Sequence, residues 1–139
     1  MSKEGDKILW RGVRPTAPES IFTRLEKPDG CTHVQFNGIG AAGLATIYTV
    51  GADVSFYLTD WTASMVATVG ASGGAQIRDF GGGALFDLCW LYTAPSIGLF
   101  AHHTYATAIR MSTGQYIRIT SGDAGNSLYF MGVGYTRPV

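Results

Sequence analysis

The chain has 139 residues, ten basic and ten acidic, for a formal net charge of zero, and its length suits one domain. Hydrophobic residues make up 46% and charged residues 14%. This excludes a mainly disordered chain and leaves no global electrostatic pull toward nucleic acid or an anionic membrane. Nineteen glycines beside seven tyrosines, seven phenylalanines and three tryptophans point to β-strands separated by turns.

Residues 1–19 read as an extended N-terminal arm, and 20–139 as the folded domain. Pro15 and Pro18 forbid regular ladder bonding in the arm. Its one apolar cluster is Ile8-Leu9-Trp10. A first strand over Ser20–Glu26 closes at the turn Lys27-Pro28-Asp29-Gly30. Thr32–Phe36 alternates and is expected to end in a tight turn at Asn37-Gly38. Leu44–Val50 and the long aromatic run Val54–Ala63 come next. Thr62–Val69 is the best helix candidate, but it is short and β-branched, so it reads as strand. Gly70–Gly74 is expected to be a hairpin loop. Ala75–Phe80 follows and ends at Gly81-Gly82-Gly83. Ala84–Thr93 stops before Pro95. Ile97–His103, Ala106–Met111 and Gln115–Thr120 are three further strands. A turn over Ser121–Asn126 leads to the last, Ser127–Tyr135.

Glycine interrupts nearly every window of a helix's length, at a cost of ~1 kcal/mol each. About eight to ten short strands at this spacing mean an all-β sandwich or barrel. Tyr57, Trp61, Trp90 and Phe130 sit in alternating runs and are assigned to its core. Trp10 and Tyr105 are left as contact candidates.

Eleven of the twenty charges lie between Lys3 and Asp29, and no lysine follows Lys27. Lysine is depleted where surface is buried against a partner, so much of the domain is expected to be covered in an assembly. The N-terminus lacks the apolar core of a signal peptide, and no uninterrupted apolar run is long enough to span a membrane. Cys31 and Cys89 have no metal-type spacing and are expected to be free thiols of a protein made in a reducing cytoplasm.

No constellation for catalysis stands out. His102-His103 is the one histidine pair, and neighbours in a strand point to opposite faces, which disfavours a shared metal. A nucleophile elbow is missing. The glycine runs lack the lysine and helix of a phosphate loop. Arg11, Arg14 and Arg24 are interleaved with Glu4, Asp6, Glu19 and Glu26, so no basic stripe forms for nucleic acid. The expectation is no enzyme, no metal and no cofactor.

Four motifs carry a family likeness. Thr49-Val50-Gly51-Ala52-Asp53 leads into Phe56-Tyr57-Leu58-Thr59-Asp60. Ile77-Arg78-Asp79 precedes glycines and Leu85-Phe86. Arg110–Ile117 steps into a penultimate strand, and Leu128–Tyr135 closes with Gly134-Tyr135. In this order they resemble the small jelly-roll virion proteins of tailed bacteriophages, over residues 44–139. Asp53 departs from that pattern, which has a Gly-Lys turn there, and Ala101-His102-His103-Thr104 has no counterpart in it. The resemblance implies a jelly-roll-like antiparallel β-sandwich and a capsid decoration (cement) protein. Its partners would be the major capsid protein and its own copies, as dimer or trimer, with no nucleic acid and no membrane. The place would be the capsid exterior, after synthesis in the host cytoplasm. The partner-binding candidates are Ile8, Leu9, Trp10, Arg11, Arg14 and Tyr105. The alternative is a receptor- or glycan-binding sandwich of a tail fibre or baseplate. Fibre tips generally follow a long repetitive shaft, and a chain starting at Met1 without one favours decoration.

Overall fold

The computed structural model describes residues 30–41, 43–67, 71–94, 98–121 and 126–139. Eight strands form: β1 (Thr32–Ala41), β2 (Gly43–Thr49), β3 (Val54–Ala67), β4 (Ala71–Arg78), β5 (Ala84–Thr93), β6 (Gly98–Met111), β7 (Tyr116–Ser121) and β8 (Asn126–Pro138). They alternate as half-buried strands should. In β7, for example, Ile117, Ile119 and Ser121 are buried, while Tyr116, Arg118 and Thr120 are only partly covered.

The strands divide into two four-stranded antiparallel sheets, ordered β1-β8-β3-β6 and β2-β7-β4-β5. β1 pairs with β8, β2 with β7, β3 with β6 and β4 with β5. This is a long hairpin ribbon, with β4–β5 at its tip, rolled up so that successive strand pairs alternate between the two sheets. The fold is therefore an all-β jelly roll. Between the sheets lie Phe56, Leu58, Met65, Ala75, Met111, Ile117, Ile119, Leu128 and Phe130, each 1% exposed or less. Burying each large apolar side chain contributes about 1.5–3 kcal/mol. Phe36 stacks on Tyr48 at 4.6 Å and meets Phe56 edge-on at 5.9 Å, which ties β1, β2 and β3 together.

Two turns meet at one end. Asp53 takes the turn before β3 with φ +60°, a left-handed conformation that aspartate tolerates better than most residues. Gln115 N–H donates to the Ser112 carbonyl at 3.0 Å, and Gly114 N–H donates to the Val50 carbonyl at 3.0 Å. At Gly81-Gly82-Gly83 the expected turn forms, closed by Gly83 N–H donating to Asp79 Oδ1 at 2.6 Å.

Several expected boundaries are corrected. Asn37-Gly38 is not a turn, because β1 runs through it, paired residue by residue with β8 from Thr32↔Thr136 to Ala41↔Ser127. A Cβ on Gly38 would come 2.2 Å from Ile47 Cγ2, so this glycine admits a neighbour's side chain rather than a bend. The expected Gly70–Gly74 loop gives way to β4 from Ala71 onward. Gly74 lies beneath the Trp90 ring, whose Cε3 would be 2.0 Å from an added Cβ. The two strands expected over Ile97–Met111 are one. Its pairing with β3 passes from Asp60↔Thr104 to Leu58↔Ile109, leaving Tyr105–Ala108 as a bulge of the kind that bends a strand. The strand and turn expected over Ser20–Asp29 lie outside the described residues, as do most of the Ser121–Asn126 turn and the arm.

Candidate functional site

β5 and β6 are edge strands of different sheets. They lie along the same side of the sandwich and approach each other where Tyr105 meets Cys89. The Trp61 indole N–H donates to the Tyr105 hydroxyl at 3.0 Å. Burial raises the Tyr105 pKa, the Trp61 bond lowers it, and interaction with Cys89 raises it again. Burial likewise pushes the Cys89 thiol up to about 11, partly offset by a backbone hydrogen bond from Ala75. Both cysteines are free. His103 stacks on Trp61 at 6.1 Å and meets Tyr105 edge-on at 4.4 Å.

Further along, the sandwich opens. Phe86 lies opposite Ile77 in the β4–β5 ladder, so both face inward. Ile77 is 2% exposed, yet Phe86 is 47% exposed. On β6, His103 lies opposite the buried Trp61 and is itself exposed. Interior-facing rings on both edge strands thus remain uncovered. Neither strand contains lysine or proline, the residues that usually blunt an open edge.

Two outer faces carry other groups. On the β2-β7-β4-β5 sheet, Gln76 donates to Asp87 at 2.7 Å and accepts from Arg78 at 2.7 Å; Arg78 also donates to the Gly82 carbonyl. Trp90 and Tyr92 flank this polar chain, both exposed. Placing Trp90 in the core is therefore corrected: alternation gave the right period, but the ring lies on the outer side, over Gly74. Tyr57 is half-buried and stacks on Tyr135 at 5.0 Å on the outer face of the other sheet, another departure from the expected core. Trp61 and Phe130 are buried as expected.

His102 and His103 diverge, as strand geometry requires. Both ring nitrogens of His102 lie 3.2 Å from hydroxyls, Nδ1 from Thr62 and Nε2 from Thr104. Among the described residues no three His, Cys, Asp or Glu side chains converge as metal ligands, and no helix is long and apolar enough to cross a membrane.

Of the sequence-derived contact residues, Tyr105 is placed at the β5–β6 side, half-buried, with its hydroxyl engaged by Trp61. Ile8, Leu9, Trp10, Arg11 and Arg14 lie outside the described residues. Sequence reasoning missed Phe86. Its alternation matches that of a core residue, and only the position of β5 at a sheet edge exposes it.

No protein-family model matches the chain, and no curated protein does. Solved structures similar to it include the virus-like particle of the extra small virus of the giant freshwater prawn Macrobrachium rosenbergii. That similarity is 15% identity and a TM-score of 0.41, over 82% of this chain and 84% of that one. A disulfide-linked pilus of Bacillus endospore appendages is similar at 15% identity and a TM-score of 0.38, over 81% and 97%. The tobacco streak virus coat protein is similar at 9% identity and a TM-score of 0.36, over 83% and 90%.

Proposed function

We propose that the chain is a structural virion protein of a tailed bacteriophage, a decoration or cement protein that binds the capsid exterior and stabilises the shell. The observation that carries this reading is the uncovered β5–β6 side, where Phe86 faces inward and is still 47% exposed. A chain with no net charge and no lysine after Lys27 is suited to having such a side covered by protein. Jelly rolls serve viral capsids, lectins and other roles, so the fold alone does not assign the function.

In this reading the partners are the major capsid protein and further copies of the chain, as dimer or trimer. The N-terminal arm reaches across a seam of the shell with Ile8-Leu9-Trp10 as its apolar anchor, because buried aromatics dominate interface energetics. Arg11 and Arg14 pair with capsid carboxylates through their planar forks, and Tyr105 borders the self-association edge. Neither catalysis nor a cofactor is involved. Synthesis takes place in the host cytoplasm.

The test uses the full chain and a variant lacking residues 1–18, each sedimented with particles of the phage that encodes it and measured alone by light scattering. The full chain is expected to be oligomeric and to cosediment. The truncated chain should unfold at nearly the same temperature but cosediment markedly less. Trp10→Ala should reproduce about 2 kcal/mol or more of that loss. A full chain that stays monomeric at micromolar concentration and does not cosediment with particles sinks the reading.

A further inference from the structure

The outer face of the β1-β8-β3-β6 sheet is not flat. A concavity of about 310 Å³ lies over the backbone of Gly38 and Phe130, walled by Ile39, Tyr129 and Met131 and edged by Asn37, Thr62 and Ser64. The register explains it. Ile39, Tyr129, Ser64 and Phe100 form one row across all four strands, and Asn37, Met131, Thr62 and His102 form the next. Tall side chains on β8 and β1 stand beside short hydroxyl residues on β3, which leaves a hollow between them.

Its chemistry is selective. No Asp, Glu, Lys or Arg lines it. The charges nearest along the strands sit in other rows: Asp60 with Val133, and Arg110 with Tyr57. Three uncharged polar side chains converge, each able both to donate and to accept. Beside them Tyr129 is 47% exposed, and Phe100 is 72% exposed in the same row. Two strand spacings separate these rings, about 10 Å between backbones.

We propose that this hollow is a binding site for a neutral glycan, with one pyranose seated against Tyr129 and the next reaching toward Phe100. A pyranose presents an apolar C–H face and a rim of hydroxyls. Tyr129 offers a large, amphipathic ring surface to the first. The Asn37 amide and the Thr62 and Ser64 hydroxyls exchange hydrogen bonds with the second. His102 holds the Thr62 hydroxyl at 3.2 Å, which orients it and leaves acceptor capacity on its oxygen. An apolar peptide in the same place would strand the Asn37 amide and the Ser64 hydroxyl without partners, and an anionic ligand would find no cation. The hollow lies on the outer face of the β1-β8-β3-β6 sheet, away from the inward-facing rings left uncovered between β5 and β6.

The test applies the labelled full chain to an array of defined neutral oligosaccharides of glucose, galactose, mannose and N-acetylglucosamine, with sialylated and sulfated glycans beside them. Any neutral oligosaccharide that binds is then titrated in solution and followed by backbone amide resonances. At least one neutral oligosaccharide is expected to bind and to shift Asn37, Thr62, Ser64 and Tyr129. Tyr129→Ala should weaken it at least tenfold. Ser64→Ala and Asn37→Ala, two milder changes, should each weaken it several-fold at an unchanged melting temperature. Binding confined to sialylated or sulfated glycans overturns the proposal. So does a complete absence of neutral binding, or neutral binding that all three substitutions leave intact. If Tyr129→Ala instead converts an oligomer to monomer, the face is covered by a second copy and the glycan assignment fails.

Discussion

The two long sides of the sandwich are each made by two edge strands from different sheets, and they have different fates. On one, β1 and β2 are separated by a single residue, so the chain crosses from sheet to sheet at once and the two edges are drawn together. Phe36 and Tyr48 stack across that seam, and Tyr48 reaches Phe56 at 4.7 Å. On the other side, β5 and β6 are joined by residues 94–97, contact is made near Cys89 and Tyr105, and Phe86 is left half out. An inward-pointing aromatic on an edge strand is core only if the facing sheet reaches it. Where it does not, the same residue becomes surface for a partner.

The largest expected difference between the two sides is in stability. Phe36→Ala removes a ring packed among Tyr48, Phe56 and Gly132 on the closed side, and should cost about 3–5 kcal/mol, read as a fall in the denaturant midpoint. Phe86→Ala should cost a small fraction of that, because the ring still meets water in the isolated domain. Equal losses at the two positions would erase the distinction between closed and open sides.

Next comes association. Phe86→Lys places a charge on the open side, where burying it against a second copy carries a desolvation penalty. The variant should keep its melting temperature within a few degrees and shift toward monomer in light scattering. An oligomer that tolerates the lysine unchanged would move the self-association surface elsewhere.

The sequence made much of the framework legible. Five of the eight strands follow closely from the alternation, Ala84–Thr93 residue for residue, because period-2 alternation between turn residues is a direct consequence of a pleated, one-sided sheet. The failures share a cause. Asn37-Gly38, Gly73-Gly74 and the Tyr105–Ala108 bulge all look like breaks locally, but a neighbouring strand supplies hydrogen bonds or a side chain that needs the space. Ile47 over Gly38 and Trp90 over Gly74 are long-range facts, and no local propensity encodes them. The open side and the outer hollow were illegible for the same reason: each is made by which strands end up adjacent. Asp53 departs from the phage pattern at a turn with positive φ, and aspartate's tolerance of that left-handed conformation lets it stand in a turn otherwise built from glycine.

A smaller effect probes the point where the open side closes. Tyr105→Phe keeps the ring but removes the hydroxyl that accepts from the Trp61 indole N–H. A hydrogen bond of this kind is worth about 1 kcal/mol net, and Tyr105 is only half-buried, so water replaces part of it. The expected loss is about 1 kcal/mol or less in chemical denaturation. A loss of several kcal/mol would mean that the Trp61–Tyr105 link organises the whole β6 bulge.

The smallest effect concerns Cys89, whose thiol reports how dry that junction is. Burial raises its pKa from 9.0 to about 11, so the native protein holds the proton after the unfolded chain has released it. The associated stability is fully present below pH 9 and is lost as pH rises toward 11, because over that window the unfolded state binds fewer protons. The thiolate is also the reactive form. In the native protein, peptide-resolved alkylation of Cys89 should therefore stay slow through pH 9 and accelerate toward pH 11, whereas in denaturant the rise should be centred near 9. If a second copy covers the open side, raising the protein concentration should slow native Cys89 alkylation further, and Phe86→Lys should abolish that concentration dependence. A native profile centred near 9 would show that water reaches the junction, and that β5 and β6 are as separate there as they are at Phe86.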